Sequence, residues 1–239
     1  MATISAGLDA PFGDCLDGQG TLYVTNDPPS GNGWVAEYPS GQTAPLKTIS
    51  DGIYTPGFCA VDSRDNLWVA NIGGPNVTEY LYRSKRPHTV ITKGMVFPVG
   101  VAIDHSGSLY VANRPVSGSP NVVVYAPGSK TPTRTITDGV TYPVGIGVDS
   151  SGTLYITNAT TNNIEEYLAG QDHPYRAITQ ALDFPVALAL NTKGWLYVAN
   201  LGNNNVVEFP PNAITPSRRS ISKGVKAPGG VAYFPPLLP

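Results

Sequence analysis

The sequence predicts an all-β propeller, and two observations carry this prediction. First, 26 glycines and 23 prolines punctuate a chain of 239 residues, which disfavours long helices. Second, a five-residue pattern recurs, in which an apolar and an aromatic residue precede Val or Ile, Ala or Thr, and Asn. It occurs at Leu22–Asn26, Leu67–Asn71, Leu109–Asn113, Leu154–Asn158 and Leu196–Asn200. Repeats of about 40 to 50 residues that hold several short strands are typical of propeller blades.

Each repeat is predicted to contain four strands, a to d. Strand a follows a proline, and strand b is the recurring five-residue pattern. Strand c carries an aromatic residue near its end, and strand d places Ile or Val beside Ser or Thr. The prolines before strand a are Pro11, Pro56, Pro98, Pro143, Pro185 and Pro228. We expect them to hold the preceding residue extended and to end the pairing of the previous blade.

The turns from strand a to strand b agree with hairpins. They begin with an aspartate at Asp62, Asp104 and Asp149, whose carboxylate is expected to accept hydrogen bonds from turn amides. A glycine that follows, as at Gly107 and Gly152, is expected to take the positive φ of a bulged hairpin. One carboxylate per turn is not the dense oxygen cluster of a calcium site, so we predict no metal and no cofactor.

The unit Pro98–Asn113, which reads PVGVAIDHSGSLYVAN, resembles the NHL repeat, and the resemblance covers nearly the whole chain. It implies a propeller, often six-bladed, with strand a lining the central channel and strand d at the rim. For function it implies a binding platform or, in lyases and lactonases of related form, an enzyme scaffold. Because one fold serves such different activities, the resemblance leaves the function open.

The number of blades also stays open. Strands b and c occur five times, whereas a and d occur six times if Gly230–Phe234 and Thr3–Ser5 are counted. We predict a single propeller domain, residues 1–239, with six repeat positions and an abbreviated closing blade built from both termini. The alternative is a five-bladed propeller, whose spare terminal strands would invite self-association. Because Thr3 already belongs to a repeat strand, we expect Met1 to mark a trimmed or truncated start.

Composition narrows the partners and the location. A formal net charge of −2 offers no basic footprint for nucleic acid. No apolar run approaches the roughly 20 residues that span a bilayer. Low charge and abundant Ser, Thr, Asn and Gly fit an exported protein, so we expect an extracytoplasmic or secreted location. The expected partner is a protein, a glycan or a small molecule.

Candidate binding residues lie on one face. The b-to-c and d-to-a connections emerge together there, and two b-to-c loops, Asp27–Trp34 and Arg114–Asn121, carry three-residue insertions. Strand a breaks its small or aliphatic pattern at two positions, which would place a carboxylate and an aromatic ring at the channel mouth. The candidates are Asp14, Phe58, Phe12, Tyr54, Phe97, Tyr142, Phe184, Trp34 and Arg114. Such aromatic residues either stack on ligands or pack between blades.

The predicted function is a ligand- or protein-binding module that uses this loop face and the channel mouth. The alternative is a lactonase-like hydrolase or lyase with a carboxylate in the channel, and a second alternative is a self-assembling structural propeller. The three histidines, His88, His105 and His173, fall on the opposite face, which disfavours a histidine-ligated channel metal. We name no catalytic residue.

Two further sets of residues recur or pair in the repeat. Glutamates precede the strand-c aromatic residue at Glu37, Glu79, Glu166 and Glu208, and we expect these to be solvated strand positions. Cys15 and Cys59 lie on the inner strands of adjacent units, one register position apart. They either form a disulfide across the blade interface or remain small buried apolar groups.

Overall fold

The computed structural model describes residues 3–233, which form five four-stranded antiparallel sheets and no helix. The first blade is β1 (Pro11–Leu16), β2 (Leu22–Asn26), β3 (Trp34–Tyr38) and β4 (Lys47–Ile49). The second is β5 (Pro56–Val61), β6 (Leu67–Asn71), β7 (Asn76–Tyr80) and β8 (Thr89–Ile91). The third is β9 (Pro98–Ile103), β10 (Leu109–Asn113), β11 (Asn121–Tyr125) and β12 (Arg134–Ile136).

The last two blades repeat the same order from the channel outwards. The fourth is β13 (Pro143–Val148), β14 (Leu154–Asn158), β15 (Asn163–Tyr167) and β16 (Arg176–Ile178). The fifth is β17 (Pro185–Leu190), β18 (Leu196–Asn200), β19 (Asn205–Phe209) and β20 (Ser220–Ile221). The all-β propeller prediction is therefore confirmed, with five complete blades as in the five-bladed alternative. Over residues 3–233, no helix is long and apolar enough to cross a membrane.

The two terminal segments lie where a sixth blade would have its inner and outer strands. Residues 231–233 line the central channel beside the five inner strands, and Tyr233 stacks on Tyr197 with ring centroids 5.0 Å apart. At the N-terminus, the Tyr38 hydroxyl donates to the Ala6 carbonyl at 2.7 Å, as Tyr80 does to Asp51 one blade later. Within residues 3–233 neither segment is a β-strand, and Phe234 lies outside the described residues.

The recurring strand-b asparagine fastens each blade to the loop that enters it. All five of these asparagines are fully buried: Asn26, Asn71, Asn113, Asn158 and Asn200. In the third blade, Asn113 Oδ1 accepts from the Val96 amide at 3.1 Å, while its Nδ2 donates to the Gly94 carbonyl at 3.0 Å. Buried backbone groups need such partners, which explains why the repeat keeps asparagine at this position.

Replacing this asparagine, Asn113→Ala, is expected to lower the free energy of unfolding by about 2 kcal/mol, because the Val96 amide and Gly94 carbonyl lose a buried partner. Urea unfolding followed by circular dichroism measures the change. The control Ser117→Ala alters an exposed loop residue and should stay within about 0.5 kcal/mol of the parent. Equal stability of Asn113→Ala and the parent protein would contradict the fastening role.

The prediction for the a-to-b turns is confirmed. Asp104 Oδ1 accepts from the amides of Ser106 and Ser108, each at 2.9 Å, and its Oδ2 accepts from the Tyr110 hydroxyl at 3.1 Å. Burial alone would raise the pKa of the Asp104 carboxyl, but these hydrogen bonds together hold it below its usual value. Gly107 takes a φ of 85°.

Before five of the six strand-a prolines the residue is not extended, so that expectation is wrong at these positions. Five of these residues have left-handed φ angles between 45° and 58°: Ala10, Thr55, Phe97, Phe184 and Ala227. Hydrogen bonds hold the tight turn, since the Phe97 carbonyl accepts from the Arg114 amide at 3.0 Å while Asn113 holds the Val96 amide. The paired backbone groups on both sides of the residue thus outweigh the local preference for an extended conformation.

Two of the four strand-c glutamates are buried, and the expectation of solvated positions is wrong for them. Glu37 Oε2 lies 2.8 Å from Lys47 Nζ, and Glu166 Oε2 lies 2.9 Å from Arg176 Nε. In each case the basic residue is the cross-strand partner on strand d. The next blade covers this side of the sheet, so each carboxylate enters the interior together with its cation.

Cys15 and Cys59 form a disulfide that joins the inner strands of the first two blades, with their Cα atoms 5.7 Å apart. Both residues belong to a buried cluster that includes Tyr23, Val61 and Val69. The bond thus lies inside the interface between two blades rather than within one sheet. The two cysteines are therefore bonded rather than separate buried thiols, a choice that the sequence left open.

Candidate functional site

The central channel has six walls, each of three residues. The lining residues are 14–16, 59–61, 101–103, 146–148, 188–190 and 231–233, around a cavity of about 150 Å³. These segments are the five inner strands and the C-terminal segment. Apart from Asp14 and Tyr233, the described lining is apolar or glycine. Such a channel gives a ligand few polar partners, and Asp14 is the charged one.

Asp14 and Phe58, the two departures from the strand-a pattern, are brought together. Both line a small cavity of about 50 Å³ at the same level of the channel. Asp14 Oδ1 is buried and has no hydrogen-bond partner among residues 3–233. Burial raises the pKa of this carboxyl to about 6. A carboxyl of this pKa can take up or release a proton near neutral pH, and it can accept a hydrogen bond from a ligand.

The Asp14 carboxylate faces the C-terminal segment. A Cβ atom added at Gly230 would overlap Asp14 Oδ1, so this position has no room for a side chain. The segment therefore closes one side of the carboxylate with backbone rather than with a charged partner. Within residues 3–233, no group of three or more His, Cys, Asp or Glu side chains is placed to hold a metal ion.

Four of the predicted aromatic residues gather on the loop face. Phe12, Phe97, Tyr142 and Phe184 are partly buried over one apolar cluster, which also contains the buried Phe58. The rings of Phe12 and Phe58 meet edge to face with centroids 5.4 Å apart, and those of Tyr142 and Phe184 lie 6.4 Å apart. We call these four residues and Arg114 the rim set. The rings both pack on the core and keep part of their surface exposed.

Arg114 is tied into this set by two aromatic rings. Its guanidinium carbon lies 4.5 Å from the ring centroid of Tyr142 and 5.9 Å from that of Phe97. Cation–π attraction of this kind holds the side chain at a defined place over the loop face. Burial lowers the pKa of Arg114 below its usual value, although the guanidinium stays charged at neutral pH.

Two predicted residues lie apart from the rim set. Trp34 Nε1 donates to the Gly7 carbonyl at 3.3 Å, so Trp34 contacts the N-terminal segment, and its ring packs on the same buried cluster as Ile4 and Leu8. Tyr54 is 46% exposed and lies against the b-to-c turn of its own blade at Gly73 and Gly74. In the third blade, the insertion Arg114–Asn121 presents Val116, which is 93% exposed.

The sequence reasoning missed a larger feature on the opposite face. A groove of about 380 Å³ separates the second and third blades, and we call it the 2–3 groove. Trp68, Glu79 and Thr89 line it from the second blade, and the turn residues Gly128 and Ser129 from the third. A signal exists in the sequence, because strand d of the second repeat begins with threonine where strand d of the first, third and fourth repeats begins with lysine or arginine.

Comparison with known proteins bears on the fold. The structure is similar to hydrazine synthase of Kuenenia stuttgartiensis, with a TM-score of 0.70 and 15% identity over 94% of this chain and 78% of that chain. It is also similar to a chain from a nidogen/laminin complex, with a TM-score of 0.76 and 19% identity over 93% of this chain and 87% of that one. No protein-family model matches the sequence, and no curated protein matches it either. Likeness at these identities concerns the fold alone, and on that ground the chain is a β-propeller.

Proposed function

We propose that this protein is an NHL-like propeller that binds a protein partner through its loop face. The observation that carries the proposal is the rim set, in which Arg114 is held over the rings of Tyr142 and Phe97. Aromatic and arginine side chains dominate the binding energy of protein interfaces. A guanidinium fixed in advance loses little entropy on binding and is ready to pair with a carboxylate.

The neighbourhood of the rim set supports a protein partner. Val116 and Tyr54 expose apolar surface on the same face. Together with the arginine, they make a surface that is apolar in parts and cationic at one point. Such a surface suits a partner segment that presents an acidic residue beside apolar ones. One similar structure comes from a protein complex, which agrees with a binding role for this fold.

The test is a peptide array, with a glycan array beside it, probed with the parent protein and two variants. Arg114→Ala and Tyr142→Ala are each expected to weaken binding of the selected peptides by roughly 10-fold to 30-fold, as for a hot-spot residue. The control is Tyr175→Ala, which removes a 63% exposed tyrosine from the opposite face and should bind like the parent. Binding that is unchanged in both rim variants would refute the proposal, as would arrays on which no peptide binds.

One observation favours the enzyme alternative, a lactonase-like hydrolase or lyase. Asp14 lies beside Phe58 in the channel, its carboxyl has a raised pKa, and its Oδ1 has no partner among residues 3–233. A divalent ion bound in the channel would favour this alternative. Self-assembly, the remaining alternative, would use the sixth position, where the described parts of the terminal segments form no sheet.

We propose an extracytoplasmic location on the strength of the Cys15–Cys59 disulfide. Structural disulfides persist in oxidising compartments and are rare in the cytosol. A thiol count on the protein isolated from its native source checks this, since the proposal requires both cysteines to be oxidised.

A further inference from the structure

The 2–3 groove interrupts a regular feature of the propeller. In the first, third and fourth blades, strand d carries a basic residue at one fixed register, namely Lys47, Arg134 and Arg176. Arg176 Nη1 donates to the Asn212 carbonyl in the c-to-d turn of the fifth blade at 2.9 Å. Arg134 Nη1 donates to the Gln171 carbonyl in the equivalent turn of the fourth blade at 3.3 Å. A guanidinium thus links one blade to the turn of the next at both interfaces.

The second blade lacks this link. Thr89 occupies the register position, opposite Glu79, and its side chain is too short to cross the interface. The Glu79 side chain makes no hydrogen bond or ion pair with the rest of the described chain, whereas the equivalent Glu37 and Glu166 are buried with their cations. Trp68 is only half-buried, whereas its counterpart Tyr155 is buried. The groove therefore corresponds to the space that an arginine guanidinium fills between the third and fourth blades and between the fourth and fifth.

The acceptors for a guanidinium remain in place. The turn of the third blade is built like those of the next two, since the Ser129 amide donates to the Ala126 carbonyl at 2.9 Å as Gln171 does to Leu168 at 3.0 Å. By this equivalence, the carbonyls of Gly128 and Ser129 take the places of those of Asn212 and Gln171. Across the groove, Glu79 offers a carboxylate and Trp68 an indole ring.

We propose that the 2–3 groove binds a guanidinium group carried by a ligand. The Glu79 carboxylate pairs with two guanidinium N–H groups, the turn carbonyls accept from the others, and the Trp68 indole contacts the planar cation. At the mouth of the groove lie three exposed basic residues, Arg64, His105 and Lys130. They disfavour a polybasic ligand, so the ligand carries a single guanidinium, either on an arginine side chain of a peptide or on a small molecule.

Nuclear magnetic resonance of the tryptophan indole N–H groups tests this directly, because the chain has only three tryptophans. The probes are n-butylguanidinium and the peptide acetyl-Gly-Arg-Gly-amide. Each is expected to shift the Trp68 signal saturably and to leave the Trp34 and Trp195 signals unchanged. Comparable affinity for the two probes indicates recognition of the guanidinium alone, while tighter binding of the peptide assigns the site to a protein ligand. The neutral analogues n-butylurea and acetyl-Gly-citrulline-Gly-amide should produce no shift.

Three variants locate the site. Glu79→Gln is expected to weaken binding roughly tenfold, because a neutral amide replaces the charged acceptor. Thr89→Arg places the residue of the other blades in the groove and should abolish binding while the protein stays folded. Val90→Arg adds the same charge at the next residue, which is 42% exposed and points to the other side of the strand, and should bind like the parent.

The experiments on the groove are independent of the peptide arrays that test the loop face, so either proposal can fail without the other. The absence of a saturable Trp68 shift with both guanidinium probes would refute the site. An undiminished shift in Thr89→Arg would also refute it, because the groove would then be occupied by arginine. An equal response to the neutral analogues would show that the groove does not recognise charge.

Discussion

Replacing both cysteines by alanine is expected to lower the free energy of unfolding by about 4 kcal/mol. The disulfide closes a loop across a sequence separation of 44 residues. In the chain-entropy description, closing a loop of this length lowers the conformational entropy of the unfolded chain, which raises its free energy by roughly 4 kcal/mol. Equilibrium unfolding in guanidinium chloride, followed by circular dichroism, measures the loss.

Reduction provides the matched control for this prediction. The parent protein measured in dithiothreitol should lose about as much stability as the double alanine variant, because both lack the bond. The double variant itself should be insensitive to dithiothreitol. If oxidised and reduced parent protein unfold at the same denaturant concentration, the disulfide contributes nothing to stability and the prediction is wrong.

Asp14→Asn is expected to stabilise the protein by about 3 kcal/mol at pH 8 and to have little effect at pH 4. Burial raises the pKa of this carboxyl in the folded protein from 3.8 to about 6. Below pH 4 the group is protonated in both folded and unfolded chains. Between about pH 4 and pH 6 the carboxyl is ionised in the unfolded chain but still protonated in the folded protein, so stability falls by about 1.4 kcal/mol per pH unit; above that window the loss is complete.

Stability measured from pH 4 to pH 8 checks both the size and the direction of this effect. The parent protein should lose the Asp14 contribution between about pH 4 and pH 6, whereas Asp14→Asn should lack that loss, since its side chain does not ionise. The control is Asp9→Asn, which removes the same charge from an exposed residue and should keep the pH dependence of the parent. Parallel curves for the parent and Asp14→Asn would show that the carboxyl is solvated in the channel.

Much of the fold follows from the sequence because it depends on local pattern. The five strand pairs around Leu22–Asn26 and its repeats need only alternating apolar residues and turn chemistry within one blade. The turn around Asp104 follows from the hydrogen bonds that an aspartate offers to amides two and four residues ahead. The left-handed residue before the strand-a proline does not follow in this way. At Phe97, for example, the conformation depends on Asn113, which lies 17 residues from the Val96 amide that it holds.

The candidate site was predictable in part for the same reason. The grouping of Phe97, Tyr142 and Phe184 follows from their common position before the strand-a proline, since equivalent positions of a ring gather on one face. The place of Arg114 over two rings was not predictable, because it depends on rotamers and on the neighbouring blade. The burial of Glu37 and Glu166 depends likewise on the blade that covers them.

By itself the sequence determined the repeat, its four strands and the all-β propeller, because these depend on contacts within a single blade. Only the tertiary structure decided how the blades meet. It joins Cys15 to Cys59, covers the ion pairs of Glu37 and Glu166 with the next blade, leaves Asp14 Oδ1 without a partner among residues 3–233, and forms the 2–3 groove. The physical reason is that contacts between neighbouring blades join residues about 36 to 44 positions apart, and their energy depends on which side chains the closed ring brings together. In the groove, Glu79 and Thr89 of the second blade face the Gly128–Ser129 turn of the third, and Thr89 stands where the first, third and fourth blades have a cation.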